Sequence, residues 1–209
     1  KSTVANLIAR FWDVSEGSVT VGGVEVRELD YADWMKHISI VFQDTNLFKM
    51  SVAENVAMYK PGASREEIME ALRQARCEDI LEKLPNGVDS VIGARGVYLS
   101  GGEMQRIALA RAILKDAPIV LLDEATAFAD AENEYLIQKA LDILLHGKTV
   151  LMIAHRLQTI VHADQIIVMQ RGGIAEQGTH EELMQRQGVY AKMYHEYENS
   201  VSWKIGGWA

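Results

Sequence analysis

Two short apolar runs, Ile119–Leu122 and Thr149–Ala154, constrain the fold of this chain more than any other feature. Neither shows the alternation of a half-exposed strand, and each ends on polar residues: Asp123-Glu124 after the first, His155 after the second. Short apolar runs of this kind fit strands covered on both faces, the habit of parallel sheets. A parallel pair needs a long crossover, usually a helix, and the chain alternates short apolar runs with longer helical segments. Ile38–Phe42 is a third apolar strand, and Asp164–Met169 and Ile174–Gln177 read as further strands. Ser18–Val26 alternates like a strand or a hairpin around Gly22-Gly23. The alternation of strand and helix predicts an α/β fold with a mainly parallel sheet.

Helical pattern runs from Lys1 to Phe11 and again through a helix-rich stretch from Leu47 to Lys115. Three starts inside that stretch fit the capping box, in which a hydroxyl and a carboxylate three residues apart close the first turn: Ser51 with Glu54, Ser64 with Glu67, and Ser100 with Glu103. Thr179 with Glu182 opens a last helix that should end near Tyr197. Trp203 and Trp208 fall in a short tail. The expected organisation is one domain. Residues 1–43 and 116–180 form the α/β core, 44–115 an inserted helical block, and 181–209 a C-terminal helix and tail.

The chain has 209 residues and a formal net charge of -8, so nucleic acid meets no broad basic footprint and is not expected as a partner. Its one cysteine, Cys77, excludes an internal disulfide and reads as structural. No apolar run reaches the roughly 20 residues that span a bilayer as a helix.

The chemistry gathers at strand ends. In open α/β sheets ligands bind beyond the carboxyl ends of the strands. Asp123 and Glu124 sit at such an end, where one carboxylate can hold Mg²⁺ and the next can polarise a water; an acidic turn is the plainer alternative. Gln43 and His155 follow two other strands. Leu99-Ser100-Gly101-Gly102-Glu103 is the strongest local signal. Its capping box explains Ser100 and Glu103 but not two glycines in a first helical turn, each costing about 1 kcal/mol relative to Ala. Bare amides at the positive end of a helix invite an anion. Lys1-Ser2-Thr3, opening a helix, has the residue types that end a phosphate-binding loop: a cation for the β/γ-phosphates and a hydroxyl for Mg²⁺. A cation, a metal-binding carboxylate, a base and polar sensors converging on one sheet edge are what phosphoryl transfer to water requires.

In this order, these segments closely resemble the nucleotide-binding domain of ABC transporters, over nearly the whole chain. Lys1-Ser2-Thr3 matches the end of Walker A, Gln43 the Q-loop, and Leu99–Glu103 the signature motif. Ile119–Glu124 matches Walker B, Asp130 the D-loop acid, and His155 the H-loop. Gly93-Ala94-Arg95-Gly96 looks like the coupling segment of exporter-type members. The resemblance implies a P-loop NTPase core with an inserted helical signature subdomain, and ATP and Mg²⁺ as cofactors. Lys1, Ser2 and Thr3 would hold the phosphates, and Ser2, Gln43 and Asp123 the metal. Glu124 would be the general base and His155 would contact the γ-phosphate. Ser100, Gly101, Gly102 and Asp130 would serve ATP across a head-to-tail pair with a second such domain. Transmembrane domains would be the other partners, at the cytoplasmic face of the cell membrane.

Two segments depart from the family pattern: Ala94, where Glu is usual, and Ala127-Phe128-Ala129 ahead of Asp130, where Ser-Ala-Leu is usual. The stretch Ala125–Asn133 resembles an exporter-like branch that includes siderophore importers. The chain opens on Lys1, without the glycines and upstream strands of the family. The expectation is therefore a fragment that binds and hydrolyses ATP poorly by itself. A soluble ABC protein acting on DNA or ribosomes and a nonhydrolysing regulatory module are the rival readings. The acidic charge and the Gly93–Gly96 segment oppose the first; Glu124 and His155 oppose the second.

Overall fold

The computed structural model describes residues 1–42, 46–93, 97–123, 131–154 and 156–206. They fall into two compact units, Ser2–Ile153 and, with Lys1, Ala154 onward.

In the first unit, α1 (Ser2–Ile8) leads into a two-stranded hairpin, β1 (Thr20–Val21) and β2 (Val24–Glu25), and then α2 (Tyr31–Lys36). Helix α1 stops short of the predicted Phe11 because Arg10 adopts the left-handed conformation at φ 57°. The Phe11 amide then reaches the Asn6 carbonyl at 2.9 Å and the Arg10 amide that of Leu7 at 3.1 Å. This is a Schellman termination with Arg where Gly is usual, and the Arg10 guanidinium donates to the Leu29 carbonyl at 2.7 Å. The hairpin turns at Gly22-Gly23, both at positive φ (59° and 83°), as the sequence suggested.

The three apolar runs become β3 (Ile38–Val41), β6 (Ile119–Asp123) and β7 (Thr149–Ile153), a parallel sheet in the order β3-β6-β7. Between β3 and β6 come β4 (Met50–Ser51), α3 (Val52–Ala57), α4 (Arg65–Gln74), α5 (Glu78–Lys83), β5 (Val91–Ile92) and α6 (Gly101–Lys115). Helix α7 (Ala131–Leu145) crosses from β6 to β7. Alternate residues of β6 explain why its run is continuously apolar. Val120 and Leu122 join the core under α3, α4, α6 and α7, while Leu121 and Ile119 join the other, with Ala9, Val26, Trp34 and Ile38. The helical block therefore shares one core with a face of the sheet.

Helix α6 is pinned at its C-terminal end. Lys115 donates to the carbonyls of Met35, at 2.7 Å, and Ile38, so this end of the helix lies at the entering end of β3. Arg111, buried on the same helix, donates to the Asn55 carbonyl at 2.8 Å and to its side-chain oxygen at 3.2 Å. Asn55 in turn ties down the segment after β3, bonding the amide and carbonyl of Phe48 at 2.9 and 3.0 Å.

In the second unit, β8 (Ile166–Gln170) and β9 (Gly173–Gly178) pair antiparallel, with a register shift between Val168 and Met169. The single last helix expected from Thr179 is two helices, α8 (His180–Gln185) and α9 (Val189–Gly206), and the second runs past Tyr197 to include Trp203. The break follows from Gln187 at φ 53° and from a new cap on the second helix. Both oxygens of Glu176 accept backbone amides there, from Val189 at 2.9 Å and Tyr190 at 2.8 Å.

Candidate functional site

Ser2 and Thr3 open α1 and are exposed. The Lys1 ammonium reaches the carbonyl of Ala154 at 3.5 Å. Asp123 is the last residue of β6, half-buried, and pairs in register with Ile153 of β7, while Val41 of β3 pairs with Leu122. The three strands thus end on one edge, and the chain leaves each of them there toward residues 43, 124 and 155. Gln43, Glu124, Asp130 and His155 themselves lie outside the described residues, as do Ala94 and residues 127–129.

The start of α6 is described in full. Ser100 is its N-cap: the hydroxyl accepts the Glu103 amide at 3.2 Å, and a Glu103 oxygen accepts the Ser100 amide at 2.8 Å. The two glycines differ. Gly101 is exposed, whereas Gly102 is buried against α7; a methyl group there would lie 2.7 Å from both Cβ and Cγ of Asn133. Helix packing therefore accounts for Gly102, and Gly101 remains the glycine whose exposed backbone suits a close-approaching anion.

Charge around this helix start is organised by residues the sequence did not single out. Lys83 donates to Glu103 at 3.1 Å. Beneath it Arg106, only 1% exposed, grips both oxygens of Asp79 at 2.6 and 2.9 Å and the Arg76 carbonyl. Burial works against the Glu103 charge, but the Ser100 amide, the Lys83 ammonium and the Ser100 hydroxyl outweigh it and hold the carboxyl below its ordinary value. The Arg106 hydrogen bond does the same for Asp79, against a smaller burial cost. These partners are 20 and 27 residues apart, so no local spacing could have marked them. Cys77 is buried, which pushes its thiol far up and leaves it unreactive, in line with the structural role expected.

A cleft of about 220 Å³ opens beside β3, lined by Ser39, Phe42, Phe48, Tyr59 and Arg111 among others. Phe42, Phe48 and Tyr59 are each about half exposed at its rim.

The family model for ABC transporters matches residues 1–127, which include Lys1, the strand ends at Val41 and Asp123, and the capped start of α6. The chain belongs to the ABC transporter family. This ABC chain is 48% identical over 194 residues to an ATP-dependent lipid A-core flippase of Legionella pneumophila (strain Lens), covering 93% of the chain and 33% of the flippase. It is 50% identical over 194 residues to the mycobactin import ATP-binding/permease protein IrtA of Mycolicibacterium smegmatis, covering 93% of the chain and 22% of that protein. Among solved structures, a bacterial Atm1-family ABC exporter with ATP bound superposes with a TM-score of 0.86 at 40% identity, over 94% of this chain and 34% of the exporter. The chain spans about a third or less of the length of these relatives. Its fold is that of an exporter-type ABC domain with a P-loop NTPase core, and ATP is the ligand its family binds.

Proposed function

We propose that this chain is one ATP-hydrolysing domain that drives a substrate across a membrane, working from the cytoplasmic face. The observation that carries the reading is the alignment of β3, β6 and β7, whose ends at Val41, Asp123 and Ile153 share one sheet edge and stand just ahead of Gln43, Glu124 and His155 in sequence. Family membership and the named exporter and importer relatives support it. The near-equal identities to a flippase and to a mycobactin importer favour neither export nor import.

In this reading Lys1 offsets charge on the β/γ-phosphates, with Ser2 and Thr3 donating beside it. Glu124 takes a proton from the attacking water as the water oxygen bonds to the γ-phosphorus and the β–γ bridging bond breaks. His155 holds the γ-phosphate oxygens. The half-buried Asp123 carboxylate and the Ser2 hydroxyl are hard oxygen donors that suit Mg²⁺, which binds through one or two carboxylates together with phosphates and water; Gln43 would join them. The metal, when bound, neutralises charge developing on the phosphates. Ser100, Gly101 and Gly102, with Asp130, serve the ATP held by a second domain arranged head-to-tail. The exposed aromatic rim of the cleft beside β3 suits a protein partner, which we assign to transmembrane domains.

The test is phosphate release by the natural full-length protein, with and without Glu124→Gln. General-base catalysis contributes about 10²- to 10⁴-fold, so turnover should fall by that factor while ATP binding persists. A Glu124→Gln protein with wild-type turnover would sink the assignment.

A further inference from the structure

We propose that Lys83 is a positioning residue for the phosphate-facing start of α6, cancelling the Glu103 charge so that Ser100, Gly101 and Gly102 present a positive helix end to an anion. The proposal rests on the reading of that helix start given above; it adds the residue that makes the charge there workable. A helix contributes about half a positive charge at its amino end. Glu103, in the first turn, contributes a full negative one a few ångströms away, so by itself it reverses the sign of the end that is to receive phosphate. The ammonium of Lys83, 3.1 Å from one Glu103 oxygen, restores the balance to about half a positive charge.

Two details assign the task to Lys83. Its other carboxylate neighbour, Asp79, stands 3.8 Å away but is already held through both oxygens by the buried Arg106, so Glu103 has the shorter and more direct claim on Lys83. Glu103 is also the more sheltered partner: its side chain is 14% exposed and that of Lys83 67% exposed, so the carboxylate has little water to screen it while the lysine is free to reach it. The Ser100 hydroxyl, which accepts the Glu103 amide at 3.2 Å, is in the reading above the donor that an arriving phosphate recruits. The Ser100 amide holds one Glu103 oxygen in either case, and Lys83 supplies the full positive charge on the other.

A strut between α5 and α6 is the competing account, and the two separate cleanly. The variants Lys83→Met, Lys83→Arg, Glu103→Gln and Lys83→Met/Glu103→Gln are made in the natural full-length protein, and the ATP concentration for half-maximal turnover is measured beside the thermal midpoint. Charge cancellation predicts that Lys83→Met raises that concentration about fivefold and that Lys83→Arg does not. Glu103→Gln, which breaks the same ion pair, should cost far less, and the double variant should follow Glu103→Gln. Equal losses in Lys83→Met and Glu103→Gln, or a Lys83→Met protein indistinguishable from wild type, would overturn the proposal. A wild-type protein with no ATP turnover at all would instead bring down the functional reading, and the proposal with it.

Discussion

Helix α6 is capped from within its own first turn, whereas α9 is capped by a carboxylate arriving from another element. At α9 both Glu176 oxygens are spent on the Val189 and Tyr190 amides, and Gly188 is what lets them in: a methyl group there would sit 1.7 Å from Oε1. At α6 the Ser100–Glu103 box closes two donors locally, and Gly101 is left exposed. One helix start is closed by the protein's own anion and the other is left accessible. The closed one needs nothing further, while the accessible one sits beside a carboxylate that has to be neutralised. Glycine likewise has three uses in these two turns: packing at 102, ligand access at 101 and room for a cap at 188.

The largest expected effect is at Gly102. An added methyl meets Asn133 close to its backbone, so α6 and α7 must move apart. Gly102→Ala should lower stability by about 1–3 kcal/mol, read as a shift in the urea midpoint. An unchanged midpoint would show that packing against α7 does not require glycine at 102. Gly188→Ala comes next. The clash falls on the end of a flexible side chain, so Glu176 swings out and the cap is lost, at about 1 kcal/mol. Faster hydrogen exchange at Val189 and Tyr190 is the readout; if their protection is unaltered, the cap is not what orders α9.

Acid should distinguish the two starts more gently. The Tyr190 and Val189 amides hold the Glu176 carboxyl below its ordinary value. Its contribution is therefore complete above the usual carboxylate range and fades as pH falls through the lowered value. Protection at the start of α9 should follow that course, and Glu176→Gln should abolish the pH dependence. The smallest effect belongs to Gly101, where Ala gains up to about 1 kcal/mol of helix propensity. Gly101→Ala should therefore be slightly more stable yet need more ATP for turnover. Gain in both would break the contrast between access and packing.

Much of this was legible before the structure, and the reason is range. All four capping boxes formed, at Ser51, Ser64, Ser100 and Thr179, because each depends on residues three apart. Burial on both faces accounts for the continuous apolar run of β6, but not for that of β7, the edge strand of the described sheet, where Thr149 and Val150 are exposed and only Ile153 is buried. The end of α1 was missed because its left-handed residue is Arg10, held by the distant Leu29 carbonyl rather than by glycine's freedom. The break between α8 and α9 was missed because the cap comes from Glu176, 13 residues before Val189. At the site, Asp123, Ser100, Gly101 and Gly102 stood out through local pattern, but the packing use of Gly102 needs α7, and Lys83 is visible only once α5 lies under α6.

Lys115 and Arg111 bind one end of α6 to the carbonyls of Met35, Ile38 and Asn55, while Gly102 and Arg106 seat the other end on α7 and α5, so the helix is a rod held at both ends. Its length from Lys115 to Gly101 is about 21 Å. A tilt of about 5° at the Lys115 end would carry the Gly101 end by about 2 Å, more than half the length of a hydrogen bond. Repacking near Asn55 would therefore reach Ser100 only if the seats of Gly102 on α7 and of Arg106 on Asp79 shifted with it.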